Sequence, residues 1–185
     1  MSPGTSASTD PVLPMTDIPR LGAQVHDPLI KNRRLAVTEL GKTRDPAAIP
    51  HLGEALGDAH PLVRFDALVA LGRIDDTAGV PHLVRALTDP VPVNRAAAIA
   101  ALGKRADRSS VPGLVTCLRD RDREVRIGAA MVLGRLGDHG VLEPLEQLLT
   151  DPFQDVRDAA GTAISAIRKR TGSRGKKLPG AFTHG

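Results

Sequence analysis

Two charged residue types recur at a fixed interval along the chain. Arg33, Arg64, Arg95, Arg126 and Arg157 are each 31 residues apart, and so are Asp27, Asp58, Asp89, Asp120 and Asp151. A row of guanidinium groups can do one of two things. It can hold an anionic ligand, or it can pair with carboxylates inside the protein, because a buried unpaired charge is costly. One Asp accompanies each Arg, so the spacing points first to a ladder of charge-assisted hydrogen bonds between successive units. A ligand-binding Arg row is the alternative.

The other chemistry-bearing residues are scattered. His51 and His82 hold equivalent places one interval apart. Neighbouring helices pack about 8–10 Å apart, too far for two such ligands to share a zinc ion. His26, His60, His139 and His184 have no Cys or carboxylate at ligand spacing. Cys117 aligns with Ala55, Ala86 and Leu148, which marks it as a small core residue rather than a nucleophile. The carboxylate pairs Asp75–Asp76 and Asp120–Asp122 fall in turns, as caps do. No Gly-rich phosphate loop, Ser/His/Asp set or HExxH motif occurs. No catalytic residue, metal site or cofactor is therefore expected. Asp66, beside Phe65, is the one carboxylate placed for a test of chemistry.

The elements that carry these residues follow the same interval. Ala36, Ala67, Ala98, Ala129 and Ala160 recur in step, as do Leu40, Leu71, Leu102 and Leu133, with Ile164 in the fifth unit. Gly41, Gly72, Gly103 and Gly134 come one residue later. Each unit reads as two helices. The longer follows the Asp, as in DAHPLVRFDALVALG at 58–72, with the Asp expected as N-cap and the Gly as C-terminal stop. The shorter enters through a Pro, as in VPHLVRALT at 80–88. Inward columns on the short helices are Ile49, Val80, Val111 and Leu142; Leu52, Leu83, Leu114 and Leu145; and Leu56, Leu87, Leu118 and Leu149. The result is an all-α solenoid of five two-helix repeats, each too small to bury its own apolar stripe.

The pattern D-x4-V-R-x2-A-x3-L-G followed by V-P-x-L resembles the HEAT repeat, in the short variety first named from phycobilin lyase subunits. The resemblance covers 18–168. It implies a right-handed superhelix with the long helices on the concave face. Such repeats serve many roles, so it implies the fold more than the function.

Counting each unit from its Asp as one, positions 5, 8, 12 and 16 of the long helix face outward at roughly 100° per residue. In the second unit these are Leu62, Phe65, Val69 and Arg73; in the third, Val93, Ala96, Ala100 and Lys104; in the fourth, Glu124, Ile127, Met131 and Arg135. The first unit offers Lys31, Arg34, Thr38 and Lys42, the fifth Asp155, Asp158, Thr162 and Ala166. Leu62, Phe65, Val69, Val93, Ala96, Ala100, Ile127 and Met131, edged by Arg73, Lys104 and Arg135, form the candidate partner-binding surface. Burial of the apolar members between neighbouring helices is the competing expectation. Lys42, Arg73, Lys104 and Arg135 make a basic ridge at the helix C-termini, explained by the helix dipole or by an acidic partner.

Composition narrows the classes further. The chain has 185 residues, a net charge of +4, no Trp, no Tyr and three Phe. A core without aromatics suits closely packed helices, and the shortage counts against modules that stack bases on rings. It also counts against a DNA glycosylase of the related helical type. The charge is uneven: the last seventeen residues carry +5, the first seventeen −2, and 18–168 only +1. Residues 1–16 and the basic 169–185 are expected as disordered tails. They flank a repeat domain over 17–168, with units at 18–41, 49–72, 80–103, 111–134 and 142–168. No apolar run reaches the ~20 residues of a membrane span. The single cysteine and the lack of a secretory pattern make the cytoplasm the default. The expected function is a non-catalytic scaffold that binds another protein. The alternatives are a lyase- or isomerase-type enzyme subunit acting on a small molecule, and nucleic-acid or anionic-surface contact through the basic tail.

Overall fold

The computed structural model describes residues 17–172; the two expected tails lie outside them, apart from a short stretch at the C-terminal boundary. Five helix pairs follow one another: α1 (Ile18–Gln24) and α2 (Ile30–Thr43), α3 (Ile49–Ala55) and α4 (Pro61–Leu71), α5 (Val80–Arg85) and α6 (Pro92–Arg105), α7 (Val111–Cys117) and α8 (Arg123–Leu136), α9 (Leu142–Gln147) and α10 (Gln154–Gly172). The long helices α2, α4, α6, α8 and α10 pack side by side in one layer, and each short helix packs on the long helix of its own unit. The chain is an α-solenoid. Helix α10 runs on to Gly172, so Lys169 and Arg170, which the sequence assigned to the tail, are helical. The Arg170 guanidinium donates to the carbonyls of Gly134 and Gly137.

The predicted columns form the core. Ala36, Ala67, Ala98, Ala129 and Ala160 are fully buried, as are Leu40, Leu71, Leu102 and Leu133, and Leu52, Leu83, Leu114 and Leu145. Leu149 departs from its column. It is exposed, while Leu148 beside it is buried. Leu118, its counterpart, shares a crevice with Gln147 and Leu148 of the following unit; no such unit follows Leu149 among the described residues.

The Asp–Arg columns meet as a ladder. Arg33 Nε donates to Asp58 Oδ2 at 2.5 Å, and Arg64, Arg95 and Arg126 make the same bond to Asp89, Asp120 and Asp151 at 2.7, 2.7 and 2.8 Å. A second bond from Nη2 makes each pair bidentate. Each Nη1 turns back to the carbonyl of the Asp that opens its own unit, at 2.7–2.9 Å. The Asp is not the helix N-cap that the sequence suggested. The helix begins three residues later, and Oδ1 accepts the N–H of the residue two places on, as Asp89 does from Val91 at 2.8 Å. One carboxylate thus closes the turn and receives the neighbour's guanidinium.

The glycine column also has a different role. Helices α2, α6 and α8 run through Gly41, Gly103 and Gly134, while α4 stops at Gly72. The helical stops of α2 and α6 are instead left-handed Arg44 and Ala106. The glycines serve close approach. A Cβ at Gly41 would lie 2.6 Å from the Ala70 Cβ, and one at Gly134 would lie 2.8 Å from the Ala163 Cα. Glycines facing Ala70, Ala101 and Ala163, and Val132 opposite Gly103, make a seam along the layer. At its two ends the seam loses a member: Glu39 takes the place of Ala70, and Ser165 takes the place of the glycine.

A further Asp column recurs at the same interval and escaped the sequence reading. Asp45, Asp76, Asp107 and Asp138 accept from the backbone N–H of Ala47, Ala78, Ser109 and Gly140 at 2.7–2.9 Å. They cap the turn that leads into each short helix.

Two outcomes follow. Gly134→Ala pushes a methyl group into the Ala163 backbone and should lower the urea unfolding free energy by about 1–3 kcal/mol. Gly161→Ala, whose Cβ would meet nothing within 4 Å, should raise it by roughly 0.5–1 kcal/mol. The second outcome concerns acid. Burial alone would raise the carboxyls of Asp58, Asp89, Asp120 and Asp151, but the paired guanidinium and the backbone N–H hold all four below the ordinary aspartate value of 3.8. The unfolded chain therefore binds protons first. The ladder's contribution is complete above that value and is lost as pH falls below it. The urea midpoint should decline slightly below about pH 6.5, where the unfolded chain protonates His82 before the folded one does, and drop steeply below about pH 4 as the four ladder carboxylates protonate.

Candidate functional surface

The long-helix layer has one face against the short helices and one face to solvent. Positions 5, 8, 12 and 16 fall on the solvent side as expected. Val93 and Met131 are 56% and 61% exposed, with Leu62 and Val69 also exposed. Phe65, Ala96 and Ile127 are half-buried, and Ile127 rests on the core. Ala100, Arg73, Lys104 and Arg135 are exposed. Leu35, at position 9 of the first unit, is 60% exposed and was missed; the outward template had no place for it, although its helical register lies next to Arg34.

Not all of these residues come together. Phe65 and Val69 of α4, with Arg73 just beyond its end, face Val93, Ala96, Ala100 and Lys104 of α6 across a groove of about 490 Å³. Its floor is Leu68, Gly72, Ala97 and Ala101. The seam explains the groove: where two helices approach through Gly72 and Ala101, the flanking side chains stand up as walls. Leu62, Ile127, Met131 and Arg135 lie outside it.

The neighbouring furrow between α2 and α4 is crossed by an ion pair. Arg34 Nε donates to Asp66 Oδ2 at 2.6 Å, and the Asp66 side chain is 17% exposed. The carboxylate singled out for possible chemistry is therefore committed to a guanidinium. On the far side, Arg123 lies 3.6 Å from Asp155 and 5.5 Å from the centre of the Phe153 ring. Between these two straps the α4–α6 groove is open.

The four cations of the predicted ridge differ from one another. Lys42 pairs with Glu39 at 2.7 Å. The Arg135 guanidinium donates to the Gly103 carbonyl near the end of α6. Arg73 and Lys104 have no hydrogen-bond or ion-pair partner among the described residues.

The remaining candidates pack. A Cβ on Gly22 would meet the His51 ring at 2.5 Å, and one on Gly53 the His82 ring at 2.4 Å, so each imidazole sits in a glycine notch of the preceding short helix. Burial, with Arg85 nearby, pushes the His82 imidazole below its usual range. His26 Nε2 lies 3.1 Å from Glu54 Oε2. Cys117 is buried, and its burial pushes the thiol up. Among the described residues no group of three His, Cys, Asp or Glu could hold a metal ion, and no helix is long and apolar enough to cross a membrane.

A family model described as HEAT repeats matches residues 18–103 and again 80–165. The chain belongs to the HEAT-repeat family. Comparison with curated protein sequences gives no significant match. Among solved structures, this HEAT-repeat chain is similar to the complex of CpcE and CpcF of phycocyanin lyase from Nostoc sp. PCC7120. That match has a TM-score of 0.68 and 23% identity over 91% of this chain and 71% of the other. It is also similar to computationally designed armadillo repeat proteins for modular peptide recognition, with a TM-score of 0.58 and 22% identity over 82% of each chain. A designed armadillo repeat protein in complex with the peptide (KR)4 matches with a TM-score of 0.62 and 20% identity over 82% of each chain. At these identities the likeness is one of fold.

Proposed function

We propose that this HEAT-repeat chain is a binding scaffold that receives a segment of another protein on the solvent face of its long helices. The observation that carries the reading is the open α4–α6 groove. Its walls are Phe65, Val69 and Val93, and small side chains in its floor leave room for bulky ones. Exposed apolar residues gathered in one furrow mark a contact surface. The polar chemistry of the chain is directed elsewhere. The Arg–Asp ladder ties repeats together, Asp66 is held by Arg34, and Cys117 is buried. The similar solved structures include a two-protein lyase complex and peptide-recognition proteins, which suits a solenoid that works by being gripped or gripping. Contact with nucleic acid or an anionic surface would draw on Arg174, Lys176 and Lys177, which lie outside the described residues.

The test is capture from native cell extract with three forms of the full chain. The wild type should retain a discrete protein. Val69→Asp with Val93→Asp, at exposed positions that leave the helical circular dichroism and urea midpoint unchanged, should lose it. Replacement of Arg174, Lys176 and Lys177 by Ser should retain it. A complex that survives the two Asp substitutions would refute the proposal.

A further inference from the structure

The groove carries a charge at one end that the fold does not use. Arg73 lies two residues past the end of α4 and Lys104 sits in the last turn of α6, and both line the same end of the furrow. Cations at helix C-termini usually satisfy the terminal carbonyls and the dipole. Here other groups do this. The Arg105 guanidinium reaches back one unit to the carbonyls of Leu71 and Asp76, the latter at 2.9 Å. Arg135 does the same for Gly103. One terminal carbonyl of α4, Leu71, and one of α6, Gly103, are thus bonded to arginines of the following unit rather than to Arg73 or Lys104. Elsewhere on this face Arg34 pairs with Asp66, Lys42 with Glu39 and Arg123 with Asp155, while Lys31, which also has no partner among the described residues, stands on α2 away from the groove.

We infer that the α4–α6 groove takes an extended, apolar peptide segment whose acidic side chains lie against Arg73 and Lys104. The inference rests on the scaffold reading and specifies its partner. Charge complementarity sets the sign: the groove is apolar along its length and ends in two cations without a carboxylate. Small residues in the floor, Ala97, Ala101 and Gly72, favour bulky aliphatic or aromatic side chains in the ligand. Length sets the size. From Val93 to Lys104 the wall runs three helical turns, roughly 16 Å, which an extended chain covers in about five residues. The acidic pair then follows the apolar run directly. Such an arrangement gives specificity and orientation, since the reversed segment would place its acids beside Val93.

The experiment uses the full chain and two fluorescein-labelled, C-terminally amidated peptides, LALLAFEE and LALLAFKK, read by fluorescence anisotropy at low salt. Amidation leaves the acidic side chains as the one source of negative charge in the peptide sequence. The acidic peptide should bind about tenfold tighter than the basic one. The double variant Arg73→Glu with Lys104→Glu should invert that order, because it moves the charge at the groove and leaves the basic C-terminal segment intact. Three results overturn the inference. If both peptides bind alike and Val93→Asp weakens both, the scaffold stands and its partner is not acidic. If neither binds at millimolar concentration, or if the preference persists in the double variant, the acidic-peptide groove is wrong; the capture experiment then judges the scaffold separately.

Discussion

Arg33, Arg64, Arg95 and Arg126 each serve two units at once, whereas, among the described residues, Arg157 of the last pair bonds only within its own unit. In each of the four, one edge of the guanidinium clamps the carboxylate that begins the next unit, and the remaining nitrogen holds the carbonyl that began its own. A planar group with five donors fits this task, and a lysine could not replace it. The carboxylate is equally committed, since the same oxygen that meets the guanidinium also closes the turn before the helix. The rung therefore fixes where each unit begins relative to the last. The apolar columns supply burial, which is not directional. The rungs supply register, and they recur four times without a change of geometry.

Fixing the register lets the helices come close. Gly41 and Gly134 meet Ala70 and Ala163 of the next long helix at distances that admit no Cβ, and Gly103 meets a Val132 methyl group as closely. Close axes bring the side chains of the outer face up beside one another, and their identity decides what the face can do. Where Arg34 and Asp66 stand opposite, the furrow is bridged. Where Val69, Val93 and Ala100 stand opposite, it stays open and apolar. The same helical scaffold thus yields different surfaces from one repeat to the next through positions that carry no structural load.

Much of the fold was legible from the sequence because its signals are columns. The buried Ala and Leu positions, the two-helix unit and the Arg–Asp pairing all follow from residues repeating in register. The Asp as N-cap failed throughout, and the Gly as C-cap failed everywhere except Gly72, where α4 ends, for a shared reason. The Asp was read as an N-cap and the Gly as a C-cap, as their types suggest for a single helix. In the stack both answer to the neighbouring unit, the Asp to a guanidinium and the Gly to a methyl group. Leu149 was read as core by its column, but no following unit covers it among the described residues. On the outer face the sequence located Val69, Val93 and Lys104 correctly on the solvent side. It could not tell that Arg34 would span to Asp66, or that Ile127 would settle on the core, because both depend on rotamers across a helix pair. Leu35 was missed because the template sampled four positions of a wider face.

The account depends on each rung being an energetic link between units rather than a surface ion pair. A double-mutant cycle on Arg95 and Asp120 measures that link directly. Arg95→Gln, Asp120→Asn and the combined variant are compared with the wild type by urea unfolding. The account predicts a coupling free energy of about 1–3 kcal/mol between the two substitutions. Effects that add to within about 0.5 kcal/mol would contradict it.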